Sequence, residues 1–274
     1  MRLYPSGFII IPLLVHASRL FGQGGPPLLT DDPGTPGNRN WEINTASAFA
    51  FTHPERAIQA PLIDINYGLG DRIQLKYQAP YIWDEDGIGR YRGAMGNSLM
   101  GVKWRFFQQH RDKGWNISTY PQLEVNNPDD SYKRGLVDLG PRFLLPIEVT
   151  KTIGPVDVNF EGGYWFNRKA PDGRILGLAF GHQFTRRLEG LAEVYDDVLL
   201  GGGERSTTFD FGGRYEFHHG LLLLFMAGKS FSSLTNRTTD QPYFIGYFGL
   251  QIQITHGPRK KHANSPRPTL DQSR

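Results

Sequence analysis

The sequence predicts an all-β fold: a transmembrane, antiparallel, up-and-down β-barrel of about 12 strands. Three observations carry this expectation. From Trp41 to Thr255 apolar and polar residues alternate with period two in runs of about ten residues, the length of a tilted strand crossing a bilayer. The runs are joined by connections that alternate strictly between short and long. Glycine (33 residues) and aromatics (13%) are abundant, whereas mean hydropathy is -0.42 and no apolar run is long enough for a membrane-spanning helix.

Residues 1–23 have the pattern of a signal peptide: a positive Arg2, a short apolar run from Gly7 to Val15 broken by Pro12, and small residues suited to cleavage. That run is too short to cross a membrane as an anchor. Residues 24–40, rich in Pro and Gly, read as a linker into the barrel, which is assigned to residues 41–255. Residues 256–274 hold Arg259, Lys260, Lys261, Arg267 and Arg274 without periodicity and read as a basic disordered tail.

Strands are expected near 41–51, 58–68, 72–83, 95–107, 115–126, 136–148, 155–166, 174–184, 188–198, 206–217, 221–230 and 242–254. In the tenth, Phe209, Phe211, Tyr215 and Phe217 oppose Thr208, Asp210, Arg214 and Glu216, so one face is oily and the other charged. Connections 68–72, 108–114, 149–155, 185–187 and 218–220 are tight. Those at 52–57, 84–94, 127–135, 167–173, 199–206 and 231–241 are longer and polar, as periplasmic turns and extracellular loops differ in such barrels.

A soluble β-sandwich alternates too, but its strands centre near 5 or 6 residues. Here aromatics also gather at strand ends, as at Tyr81 and Trp83, Trp104 and Phe106, Tyr164 and Phe166, and Tyr243 and Phe244, where an interfacial girdle belongs. Only closure satisfies the backbone of a sheet in hydrocarbon. Two segments depart from the pattern: the face of Leu176, Leu178, Phe180, His182 and Phe184 carries a histidine near its end, and Leu221 to Phe225 is apolar on both faces, which points to contact with an inner plug or to a misplaced strand. The last strand closes on Leu250, Ile252 and Ile254 rather than on a terminal aromatic.

The run Leu29-Thr30-Asp31-Asp32-Pro33-Gly34-Thr35-Pro36-Gly37, then Trp41-Glu42-Ile43-Asn44, then Pro61-Leu62-Ile63-Asp64-Ile65-Asn66-Tyr67-Gly68-Leu69-Gly70-Asp71-Arg72-Ile73-Gln74-Leu75 resembles the bacterial outer-membrane transporter-like family labelled MetA pathway of phenol degradation. The resemblance implies an outer-membrane barrel that lets small molecules through, aromatic or apolar ones among them. Within this stretch Gly68 to Arg72 reads as a periplasmic hairpin turn, with Gly68 and Gly70 free to take positive φ.

With the oily faces toward lipid, the other faces line a lumen. Its expected pore-lining residues are Lys76, Lys103, Arg105, Glu124, Arg142, Glu161, Trp165, Glu193, Asp210, Arg214 and Glu216, with further charges at Glu42, Asp64, Asp138, Asp157 and Glu189. Mixed signs on neighbouring strands favour a narrow bore over a wide sieve, and acidic residues slightly outnumber basic ones. Gly101, Gly140, Gly163, Gly212 and Gly249 on the inward phase leave room for a bore.

The expected function is an outer-membrane channel for passive uptake or export of small solutes, exported by a signal peptide to the outer membrane of a Gram-negative-type bacterium, with outer-membrane lipid and lipopolysaccharide as surroundings. The alternative is a non-conducting structural or adhesion barrel whose extracellular loops bind partners.

An enzyme is not expected. The chain has no Cys, no Gly-x-Ser-x-Gly elbow and no His-Glu-x-x-His, and His53, His110, His182, His218 and His219 are scattered. No cofactor or metal site is expected either. Gly201 to Ser206 lacks the Gly-Lys-Ser/Thr of a phosphate loop, and the acidic tips Asp84-Glu85-Asp86 and Asp129-Asp130 read as solvated loop charge. The basic tail lacks the interleaved aromatics of a nucleic-acid binder.

Overall fold

The computed structural model describes residues 25–52, 56–85, 89–109, 114–128, 130–137, 140–201, 205–232 and 244–256. The strands are β1 Trp41–Phe51, β2 Arg56–Leu69, β3 Ile73–Glu85, β4 Tyr91–Met95, β5 Ser98–Gln108, β6 Trp115–Thr119 and β7 Gln122–Val125. They continue as β8 Arg142–Ile153, β9 Val156–Asn167, β10 Gly173–Gln183, β11 Leu188–Leu199, β12 Arg205–His218, β13 Leu221–Ser232 and β14 Phe244–Ile254. All pairings are antiparallel, and β1 pairs with β14 along its whole length, from Trp41 opposite Ile254 to Phe51 opposite Phe244.

These segments make twelve spans, because β4 with β5 and β6 with β7 are single crossings interrupted at 96–97 and 120–121. The lower half of β3 pairs with β5 and its upper half with β4, which carries the sheet past the first interruption. At the second, Val102 donates its amide to the carbonyl of Pro121, so the missing proline donor leaves a local gap rather than an end.

Eleven of the expected strands lie where the alternation places them. The sixth is displaced: expected at 136–148, it runs from Arg142 to Ile153. Residues 130–136 instead wind into a turn in which Arg134, Gly135 and Leu136 donate to Asp130, Tyr132 and Ser131. At the other end Thr150, Lys151 and Thr152 look like a polar loop but continue the strand. Thr150 and Thr152 hydroxyls meet Asn159 and Asp157 across the ladder, and the Lys151 ammonium lies 5.2 Å from the Trp115 ring. The true turn is Gly154-Pro155, with Gly154 at φ 61°.

Burial alternates as the sequence pattern requires. In β12 Asp210 is 0% exposed while Phe211 beside it is 71% exposed, and Leu176, Val102, Trp104, Ile147, Phe248 and Ile252 are all exposed on the same outer surface. A continuous apolar exterior of this extent has no place in water. Tyr81 with Trp83, Trp104 with Phe106, Tyr164 with Phe166, and Phe51 with Phe244 form ring pairs at 4.7–5.6 Å near the strand ends. Tyr243, Asp138, His53, His110, Asp86 and Asp129 lie outside the described residues.

Candidate functional site: a segment threaded into the lumen

The stretch read as a linker passes inside the ring of strands. Residues 25–36 are held from all sides by polar groups on the inner face. The Glu193 carboxylate of β11 accepts the amides of Leu29 at 3.1 Å and Thr30 at 2.5 Å. Glu161 of β9 accepts the amide of Asp31 at 2.8 Å. Two carboxylates thus satisfy three successive backbone donors that would otherwise be orphaned in the interior. From the opposite wall, Lys103 of β5 donates to Asp31 Oδ1 at 2.6 Å and to the carbonyl of Asp32. Arg214 of β12 donates to the carbonyls of Gly25 and Pro26 while pairing with Glu189 at 3.2 Å.

Close fit accompanies these bonds. A Cβ on Gly177 of β10 would stand 2.2 Å from Thr30 Oγ1, so only glycine leaves room for the tip of the segment. Gly177→Val is therefore expected to unseat the tip, read as a higher open fraction in planar-bilayer recordings with an unchanged barrel circular dichroism spectrum. Leu28 packs on an apolar inner strip of Ala46, Leu222, Leu224 and Tyr247. This accounts for the run that is apolar on both faces: Leu222 and Leu224 face Leu28, and Phe225 faces outward.

The segment leaves at the short-turn end. Arg39 donates to the carbonyl of Gly68, and Gly68 donates to that of Asn40. A Cβ on Gly68 would fall 1.7 Å from the Gly37 carbonyl oxygen. Gly68 therefore allows a close approach, and Gly70, at φ 70°, supplies the turn. Asp71 accepts from Thr35 through its carbonyl and from the amide of Asn38 through its carboxylate, so the hairpin also grips the departing chain.

The expected pore-lining residues divide into three groups along the axis. Lys103, Glu161, Glu193 and Arg214 meet at the inserted segment, and Asp210 lies opposite Glu193 in the β11–β12 ladder. Lys76 pairs with Asp64 at 3.5 Å in the same layer, and Arg105 bonds the carbonyls of Pro33 and Asp71 below it. Toward the long loops, Arg142 pairs with Glu124 at 2.8 Å and lies 4.7 Å from the Trp165 ring. Glu216 sits at the opposite end, accepting the amide of Gly220 in its own hairpin.

The glycines of the inward phase do not leave open bore. Tyr120 crowds Gly101, Leu144 and Ile175 crowd Gly163, and Ala46 crowds Gly249.

Three partners were not in the expected set. Glu148, 0% exposed, lies 3.7 Å from Lys103 and accepts from Ser118. Asp31 and Asp32 form the tip itself. Burial raises both of their carboxyls, but Lys103 and Lys76 outweigh it at Asp31 and bring that group below the ordinary carboxylate range, while Asp32 stays above it.

Between the segment and the wall of β1, β2, β3 and β5 remains a small polar cleft of about 30 Å³. Asp31, Asp32, Glu42, Asp64, Lys76 and Lys103 are among its lining groups. Among the described residues no cluster of three or more His, Cys, Asp or Glu side chains suits a metal ion.

Solved structures share this architecture. An outer membrane channel from Pseudomonas putida F1 matches with TM-score 0.57 at 12% identity, covering 84% of this chain and 99% of that one. The KdgM porin in complex with disordered oligogalacturonate matches with TM-score 0.53 at 9% identity, covering 78% and 99%. The NanC porin matches with TM-score 0.52 at 5% identity, covering 78% and 100%. The chain has the fold of outer-membrane porins. No protein-family profile matches it, and no curated protein matches it by sequence.

Proposed function

We propose that the protein is a passive outer-membrane channel for small solutes, exported by residues 1–23 and narrowed by residues 25–36. The carrying observation is a closed barrel, oily outside and polar inside, whose lumen is occupied by an ordered segment that still leaves a polar cleft along one wall. Similar folds that are porins support the same reading.

A bore reduced to a cleft passes only small molecules. Trp165 beside Arg142, toward the long loops, offers a ring face to an aromatic solute, the class implied by the resemblance to the phenol-degradation family. The non-conducting barrel is favoured by one observation, the extent to which the segment fills the lumen.

Liposome swelling with a panel of sugars, amino acids and phenolics separates the two. Uptake faster than in protein-free vesicles supports the channel, and no uptake of any solute supports the structural barrel.

A further inference from the structure

The outer wall is recessed near its long-loop end, where β7, β8 and β9 reach one level: Glu124 lies opposite Arg142, and Arg142 opposite Asn167. An open groove of about 370 Å³ lies there. Leu123, Phe143 and Phe166 stand side by side across the ladders on the outward phase, all exposed, and Pro141 completes the apolar lining. The Phe166 ring lies 4.7 Å from that of Tyr164 and 6.2 Å from that of Phe143, so the groove is cut into the aromatic girdle. That is the depth at which acyl chains meet headgroups.

A second observation concerns charge. Residues 168–174 hold Arg168, Lys169 and Arg174 against Asp172, a formal excess of two positive charges. Arg168 lines the groove, is exposed, and is tied to its far edge by an amide donating to the Pro141 carbonyl at 3.4 Å. Arg174 of β10 lies opposite Tyr164 and is exposed on the same outward phase as Leu176. Among the described residues none of the three cations has an ion-pair partner. Asp172 also lines the groove, but both its oxygens are taken, by the Tyr164 hydroxyl at 3.1 Å and the Asn167 amide at 2.9 Å.

An apolar groove at this depth, crowned by unpaired cations, fits the headgroup end of an anionic lipid. A phosphate monoester carries nearly two negative charges and a phospholipid diester one, so three cations favour the monoester. In a leaflet on the long-loop side of an outer membrane, that chemistry belongs to a phosphorylated, multiply acylated glycolipid.

We propose that this groove binds one glycolipid of the lipid A type, with an acyl chain along Leu123, Phe143 and Phe166 and a phosphate held by Arg168 and Arg174. The site lies on the outside of the wall and does not depend on what passes through the lumen.

The test is native mass spectrometry of the folded protein in detergent, titrated separately with bisphosphorylated lipid A, the same lipid dephosphorylated, and phosphatidylglycerol. The wild type is expected to retain one lipid A at concentrations about tenfold below those needed for either of the others. Arg168→Gln and Arg174→Gln are each expected to weaken retention about fivefold. Leu123→Trp keeps every charge but fills the groove, and is expected to weaken it to a similar degree. Arg72→Gln with Arg186→Gln removes two exposed cations at the short-turn end and is expected to change nothing. Heat-modifiable gel migration verifies that each variant is folded, and Phe143→Trp serves in place of a Leu123 variant that is not.

Phosphatidylglycerol retained as tightly as lipid A would overturn the proposal. So would a loss in the short-turn double variant equal to that of Arg168→Gln with Arg174→Gln, or unchanged retention when the groove is filled. A silent planar bilayer would overturn the channel reading and leave this site standing.

Discussion

Deleting residues 25–37 is expected to raise single-channel conductance by about an order of magnitude, because a bore now reduced to a cleft would open to the width of the ring of strands. The deletion removes no strand and none of the hairpin turns that join strands. β1 still begins at Trp41, and its pairing with β14 from Trp41 opposite Ile254 upward is untouched. What it leaves behind is a set of inner-wall groups that lose their partners on the segment, Glu161, Glu193, Lys103 and Arg214; Lys103 keeps Glu148 and Arg214 keeps Glu189, and all four can be hydrated once water fills the lumen. The barrel should therefore stay closed and heat-modifiable while passing larger solutes. Unchanged conductance in the deleted protein would mean that the segment does not set the width of the path.

Replacing Lys103 by Met is expected to cost about 3–5 kcal/mol of stability, the range for stripping one partner from a buried ionic cluster. The ammonium is 2% exposed, lies 2.6 Å from Asp31 and 3.7 Å from Glu148, and stands 4.6 Å from the centre of the Tyr120 ring. Without it two carboxylates face each other across the lumen in a setting that water reaches poorly. The loss should appear as a lower midpoint in urea unfolding followed by gel migration. Adding Glu148→Gln to Lys103→Met should recover part of it, since one of the stranded charges is then gone. A wild-type midpoint for Lys103→Met would show that the cluster contributes nothing net to holding the segment.

The wall of this protein was legible because an apolar outside and a polar inside impose period two on every crossing, and a strand such as Thr208 to Phe217 carries that signature without help from its neighbours. Legibility failed where the constraint is not periodic. Thr150 to Thr152 looks like a loop in isolation, and only its bonds to Asn159 and Asp157 make it strand. The same displacement hid Glu148, which falls on the expected end of the strand rather than in its middle.

Residues 25–36 show no period at all, since their amides are satisfied one by one by Glu161 and Glu193, more than a hundred positions away. Their single trace in the sequence was the apolar inner side of Leu221 to Phe225, which matches Leu28. Phase alone assigns the charged residues to one face, and it could not say that Lys103 and Glu193 grip a segment while Glu124 and Arg142 pair near the loops.

The central claim is that lipid covers the outside of the barrel and that its interior is polar. The chain contains no cysteine, so single-cysteine spin labels report one position each. Phe209→Cys and Phe211→Cys in reconstituted bilayers, labelled and examined by power saturation, should show high accessibility to oxygen and low accessibility to a water-soluble nickel complex; Leu176→Cys and Phe248→Cys should do the same on other strands. Labels at these positions that saturate like water-exposed sites would contradict the account.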